Sequence, residues 1–213
     1  MPNPSVPAFF DEAPPVLMRD PLAALLGAAE GGVIQYRYAD AVRLPGPSCP
    51  TVAGAYLAVR GGLRALYGDE IPERGNIEVH MRDARDHGTT GVVAAVATLL
   101  TGAAAETGFQ GIGRAGKFAR RNLLFFGAPI DGLLALRRRD SGRGVQLDLD
   151  MTRVAGDPEM ASLFPKVIAD IASAEEAQHF AALWQDRVRR MLIEHADDQA
   201  LVRVSAWPAS STQ

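Results

Sequence analysis

Apolar residues recur at three- and four-residue spacing over Val52, Ala55, Tyr56, Val59, Leu63 and Leu66, a stripe that predicts an amphipathic helix. Ser48 or Cys49 can cap its start, Pro50 or Thr51 falls in its first turn, and Gly68 closes it. A shorter helix is expected after Asp20-Pro21, with Leu22, Leu25 and Leu26 on one face and Gly31-Gly32 as its stop. Alternating positions rich in aromatic and β-branched types predict a strand over 33–42, ended by Pro45-Gly46-Pro47. Residues 76–81 read as a strand, 89–100 as an apolar helix and 122–126 as an inner strand. The runs 132–138 and 144–150, joined through Asp140-Ser141-Gly142-Arg143, predict a hairpin. Asp157-Pro158 opens a further helix. Ser173 with Glu176 three residues later makes a capping box for a second one reaching about His195, and 201–206 returns as a strand.

These elements interleave without the regular βαβ period of a doubly wound fold, so the expected class is α+β, a single domain with a mixed β-sheet covered by helices and two C-terminal helices. The body is placed at 20–207. Residues 1–19 form a proline-rich arm whose Phe9, Phe10 and Leu17 suit an extended segment lying on the body or on a neighbouring protomer, and 208–213 read as a disordered tail. Apolar arm residues offered to a neighbour point to a homodimer.

Composition narrows the classes of function. With 22 basic and 25 acidic side chains the net charge is −3, which removes the footprint of a general nucleic-acid binder. The uncharged stretch 88–105 is broken by glycine and threonine and is shorter than a membrane span. One cysteine excludes a disulfide framework and any site built from several thiolates, and the first twenty residues lack a basic leader, so a cytoplasmic setting is expected.

Cys49 carries the most chemical information because a turn and a predicted helix N-terminus meet there. Helix N–H groups and the dipole favour a thiolate, the form that binds metals or attacks electrophiles, although a free cysteine is more often an inert buried thiol. His80 and His87 flank Asp83 and Asp86, four potential ligands in eight positions at a spacing that fits no standard metal signature. His179 and His195 fall on the C-terminal helices. Gly111-Ile112-Gly113-Arg114-Ala115-Gly116-Lys117 fits phosphate-loop patterns poorly, since it neither follows a strand into a helix nor carries Ser or Thr after the lysine; Arg114, Lys117, Arg120 and Arg121 read instead as a local basic edge.

Taken together, Tyr38-Ala39-Asp40, the run Pro47-Ser48-Cys49-Pro50-Thr51-Val52-Ala53-Gly54, Leu100-Thr101-Gly102, and Gly116-Lys117 with Asn122-Leu123 resemble the FmdE family, which takes its name from a component of formylmethanofuran dehydrogenase. The similarity runs from about residue 30 to 150. It implies an α+β, usually dimeric domain with a metal site, often zinc, held by a His-Gly-His-x-Cys-Pro segment and a later cysteine. Here Pro45 and Pro47 stand where the family has its histidines, the later cysteine falls near Val92, and Cys49 alone is kept. The expectation is a site for zinc or another transition metal formed by Cys49 with His87 or His80, with no activity assigned. Two alternatives stand beside it: haem held by Cys49 or a histidine as axial ligand, and a metal-free thiol enzyme or redox sensor using Cys49.

Overall fold

In this computed structural model, residues 6–208 are described. The central element is α4 (Pro50–Tyr67), whose buried side chains include Val52, Tyr56, Val59, Leu63 and Leu66, the stripe expected from spacing. It packs against both a five-stranded sheet and other helices. The sheet runs in the order β4 (Leu124–Phe125), β3 (Ile77–Met81), β5 (Leu134–Arg138), β6 (Gly144–Leu149), β7 (Val202–Trp207). The β3–β4 pair is parallel and the rest antiparallel, which makes the sheet mixed and the fold α+β. Val79, Leu136 and Val145 line up across the ladder and Met81, Leu134 and Leu147 form the next row, so two apolar rows run under the helices. At Gly62 the helix approaches so closely that an added Cβ would lie 2.8 Å from Leu136 and 2.9 Å from Leu147, which accounts for a glycine inside a helix.

The predicted hairpin, the capping box and both C-terminal helices are present, the helices as α6 (Met160–Ile168) and α7 (Ala174–Ile193). The Ser173 hydroxyl accepts from the Glu176 N–H at 3.1 Å and the Glu176 carboxylate accepts from the Ser173 N–H at 2.9 Å. The apolar helix is α5 (Thr90–Thr101).

The strand expected over 33–42 is a correction. β2 (Val33–Tyr36) stops early and α3 (Tyr38–Arg43) follows. The Asp40 carboxylate accepts from the Arg37 N–H at 2.8 Å, a cap that begins the helix, and Tyr38 is fully buried edge-on to Phe10 and Tyr56. Packing of one aromatic outweighs a short alternating pattern. The arm is also more regular than an extended segment: it contains α1 (Phe9–Glu12) and β1 (Val16–Arg19), which pairs antiparallel with β2. Phe9 and Phe10 are buried in the chain's own core, so they are not free to cover a neighbour and lend no support to a dimer. Of the tail placed at 208–213, residues 209–213 lie outside the described residues.

A buried ionic cluster ties the N-terminal segment to the body. Asp20, the N-cap of α2 (Pro21–Leu25), accepts from the Leu22 N–H at 2.9 Å, from Arg120 at 2.8 Å and from Arg74 at 3.2 Å. Gly75, at φ +88°, leaves the space that the Arg120 guanidinium fills. Arg120 therefore points inward, and the basic edge read over 114–121 loses one of its four cations to this cluster. The glycine-rich segment itself forms a tight turn in which Ile112 pairs with Lys117, inside a long connection between α5 and β4, and not a strand-to-helix loop.

Candidate functional site

Cys49 is the N-cap of α4. Its backbone is extended, at φ −149° and ψ 164°, its carbonyl accepts the first intrahelical bond from Ala53 at 3.0 Å, and its Sγ accepts from the Val52 N–H at 3.5 Å. The sulfur is thus the side-chain acceptor that Ser or Asp supplies at other caps, and it is half-buried, not sealed. The segment before it is held from α7. The Ser48 carbonyl accepts from Trp184 Nε1 at 3.3 Å and from Gln185 Nε2 at 3.0 Å, and the Ser48 hydroxyl lies 3.1 Å from the Tyr38 hydroxyl. Burial pushes the Tyr38 phenol well above its ordinary range, so it stays protonated and able to donate. Gln185 Oε1 is buried and has no hydrogen-bond partner among the described residues. Side chains from α3 and α7 therefore fix the Pro-Gly-Pro approach to the thiol without closing over it.

His80 lies elsewhere. Strand β3 alternates, with Ile77, Val79 and Met81 turned into the helix-covered core and Glu78 and His80 turned to the opposite face of the sheet. There the imidazole stacks on Phe125 at a centroid distance of 4.6 Å and meets Trp207 edge-on at 4.7 Å, with Nε2 at 3.3 Å from the Glu78 carboxylate. Burial lowers its pKa, against which the Glu78 hydrogen bond works. Arg137 covers the Trp207 ring at 3.7 Å.

His87 sits in the exposed turn between β3 and α5, its Nδ1 at 3.7 Å from the Asp83 carboxylate. The Arg82 hydrogen bond holds the Asp83 carboxyl below the usual carboxylate range. Asp83 is thus already engaged by a cation.

The three residues expected to share a metal are not brought together. Cys49 opens the helix on the core side of the sheet, His80 is on the other side and His87 is in solvent; no three His, Cys, Asp or Glu side chains among the described residues gather around one point that could hold an ion. Strand alternation turns His80 to the face away from α4, and the turn after β3 carries His87 into solvent. His179 and His195 likewise pair locally, with Glu159 at 2.8 Å and Asp198 at 2.9 Å. A cavity of about 960 Å³ lies along α4 and β7, lined by Arg60, Arg64, Asp197 and Val202, and includes neither Cys49 nor the two histidines.

Sequence reasoning missed Tyr38, Trp184 and Gln185 as the frame of the thiol. A signal for Tyr38 was available, since Asp40 three residues after Arg37 is a helix-start pattern; Trp184 and Gln185, more than 130 positions from Ser48, had none. No helix among the described residues is long and apolar enough to cross a membrane. A scan against protein-family models and a search of curated proteins both find no match to this chain.

Proposed function

We propose that the chain works through Cys49 as a single-thiol site, a redox-responsive or nucleophilic cysteine presented at the start of α4. The observation that carries this reading is the half-buried Sγ accepting a helix N–H, with its approach pinned by Trp184 and Gln185. Such a donor directs the positive end of a backbone dipole at the sulfur, an arrangement that suits a nucleophilic or oxidisable thiol. The zinc site that FmdE resemblance implies does not fit the donors around Cys49, because Pro45 and Pro47 stand in place of the family's histidines and the replacements His80 and His87 stand on other surfaces. No step is assigned to a metal.

With a hydroperoxide as oxidant, the Cys49 sulfur attacks the terminal oxygen; the O–O bond breaks, the thiol proton passes to the departing oxygen, an alcohol or water leaves, and sulfur is oxidised to a sulfenic acid. Cys49 is the chain's one cysteine, so the resolving thiol must come from another molecule. That thiol displaces water from the sulfenic acid and leaves a mixed disulfide on Cys49.

The test is intact-mass spectrometry of the native protein after treatment with iodoacetamide, and separately with peroxide followed by dimedone. Expected are one adduct in each case and none in Cys49→Ser. Alkylation only after denaturation would refute the reading. Stoichiometric zinc, or a Soret band, that is lost in Cys49→Ser would replace it with the metal or haem alternative.

A further inference from the structure

At the end of α4 opposite Cys49, a half-open hollow of about 290 Å³ is bounded by Arg19, Tyr67, Glu73, Arg138 and Asp140 among others. Its size suits a small molecule. Tyr67 is 7% exposed, and its phenol oxygen is buried without a hydrogen-bond partner among the described residues. The Glu73 N–H and the Asn76 amide approach that oxygen as donors without reaching hydrogen-bond geometry, so the phenol proton has no acceptor. Burial raises the pKa of the phenol above its ordinary value, so the proton stays on it. A buried hydroxyl left unpaired costs stability, and the hollow is where an acceptor has room to enter.

The charges around the hollow fall into two sets. Arg138 lies over the Tyr67 ring at 4.0 Å and is committed to Asp140 at 3.0 and 2.8 Å and to the Leu66 carbonyl at 3.3 Å, so this pair forms a neutral wall. Arg19 and Glu73 are bridge partners where β1 runs beside the 72–74 segment, yet neither side chain makes an ion pair or hydrogen bond among the described residues. The wall therefore lacks an acceptor for Tyr67, an anion for Arg19 and a cation for Glu73. A simple anion would meet repulsion from Glu70, Glu73 and Asp140, and the carboxylates do not gather around one point that could hold a metal ion. A molecule carrying both charges a few bonds apart supplies all three missing groups.

We propose that this hollow binds a small zwitterion, a free α-amino acid, with its carboxylate on Arg19 and the Tyr67 hydroxyl and its ammonium on Glu73. Tyr67 donates to the carboxylate, a charge-assisted bond that gives its proton the acceptor it lacks. Ile71, also in the lining, offers an aliphatic side chain of the ligand an apolar contact. The proposal does not depend on Cys49.

The experiment is titration calorimetry of the full chain with each of the common amino acids, followed, for the tightest binder, by the same molecule lacking its carboxylate and the same molecule lacking its amino group. At least one amino acid is expected to bind, and both truncated forms to bind about tenfold or more weakly. Tyr67→Phe is expected to keep or raise the melting temperature of the free protein, because it removes an unpaired buried hydroxyl, while weakening binding about tenfold. Arg19→Gln is expected to weaken binding as much, and Glu73→Gln to weaken the amino acid but not the form without its amino group. Absence of binding at millimolar concentration, equal binding of a truncated form, or unchanged affinity in Tyr67→Phe would each overturn the proposal. A lower melting temperature of free Tyr67→Phe would overturn its premise, by showing that the hydroxyl is already satisfied in the folded chain.

Discussion

Replacing Asp20 by alanine is expected to be among the most damaging single changes in this chain. Asp20 is 5% exposed, and its carboxylate holds Arg120, itself 8% exposed, at 2.8 Å and Arg74 at 3.2 Å, while capping α2 through the Leu22 and Ala23 N–H groups at 2.9 and 3.3 Å. Removing one member of a buried ion pair leaves an uncompensated charge, which costs about 3–5 kcal/mol. Loss of the cap adds roughly 1 kcal/mol. For a chain of this length each kcal/mol moves the melting temperature by roughly 2–4 °C, so the ionic part alone corresponds to a fall of about 6–20 °C. Asp20→Asn separates the two contributions, because the amide oxygen can still cap the helix but carries no charge. The pair Asp20→Asn with Arg120→Met is expected to be more stable than Asp20→Asn alone, since the more deeply buried of the two orphaned cations is gone.

The pH dependence has a definite sign. Burial opposes ionisation of Asp20, but Arg120, the backbone N–H donors and Arg74 outweigh it and hold the carboxyl below its ordinary value of 3.8. Its contribution is therefore fully present above that value and is lost as pH falls through the lower, folded one. Urea denaturation across that range, on wild type and variants, is the assay. A loss below about 1 kcal/mol for Asp20→Ala would refute the reasoning, because it would mean that Arg120 is not desolvated enough to need its partner.

Two further outcomes are expected. Burial keeps the His80 imidazole below its ordinary pKa of 6.5, so the unfolded chain takes up that proton first, and stability falls as pH drops below 6.5; His80→Gln should flatten this decline, and an unchanged slope would show that the aromatic stack does not desolvate the ring. Gly62→Ala, despite a better helix former, should lower the urea midpoint by the equivalent of about 1–3 kcal/mol through overpacking against Leu136 and Leu147, and a gain in stability would refute the close approach.

Much of the fold was legible in the residues themselves. The stripe from Val52 to Leu66, the Ser173–Glu176 box and the hairpin through Ser141-Gly142 depend on interactions between residues a few positions apart, so local spacing is sufficient to reveal them. Cys49 at the start of α4 was legible for the same reason, as Pro50 beside it marks the first helical turn. What stayed hidden depends on distant partners. The fate of Arg120 was decided by Asp20, a hundred positions away, and that of Phe10 by Tyr38, whose burial also turned a predicted strand into a helix. His80 and His87 are near each other in sequence, yet the pleat of β3 and the turn after it send them to different surfaces, and the order of strands in the sheet sets His80 between Phe125 and Trp207. Local sequence determines which residues can cap, turn or alternate; whether chemically able side chains meet is decided by long-range packing, because contact between them is formed by elements that only tertiary structure brings together.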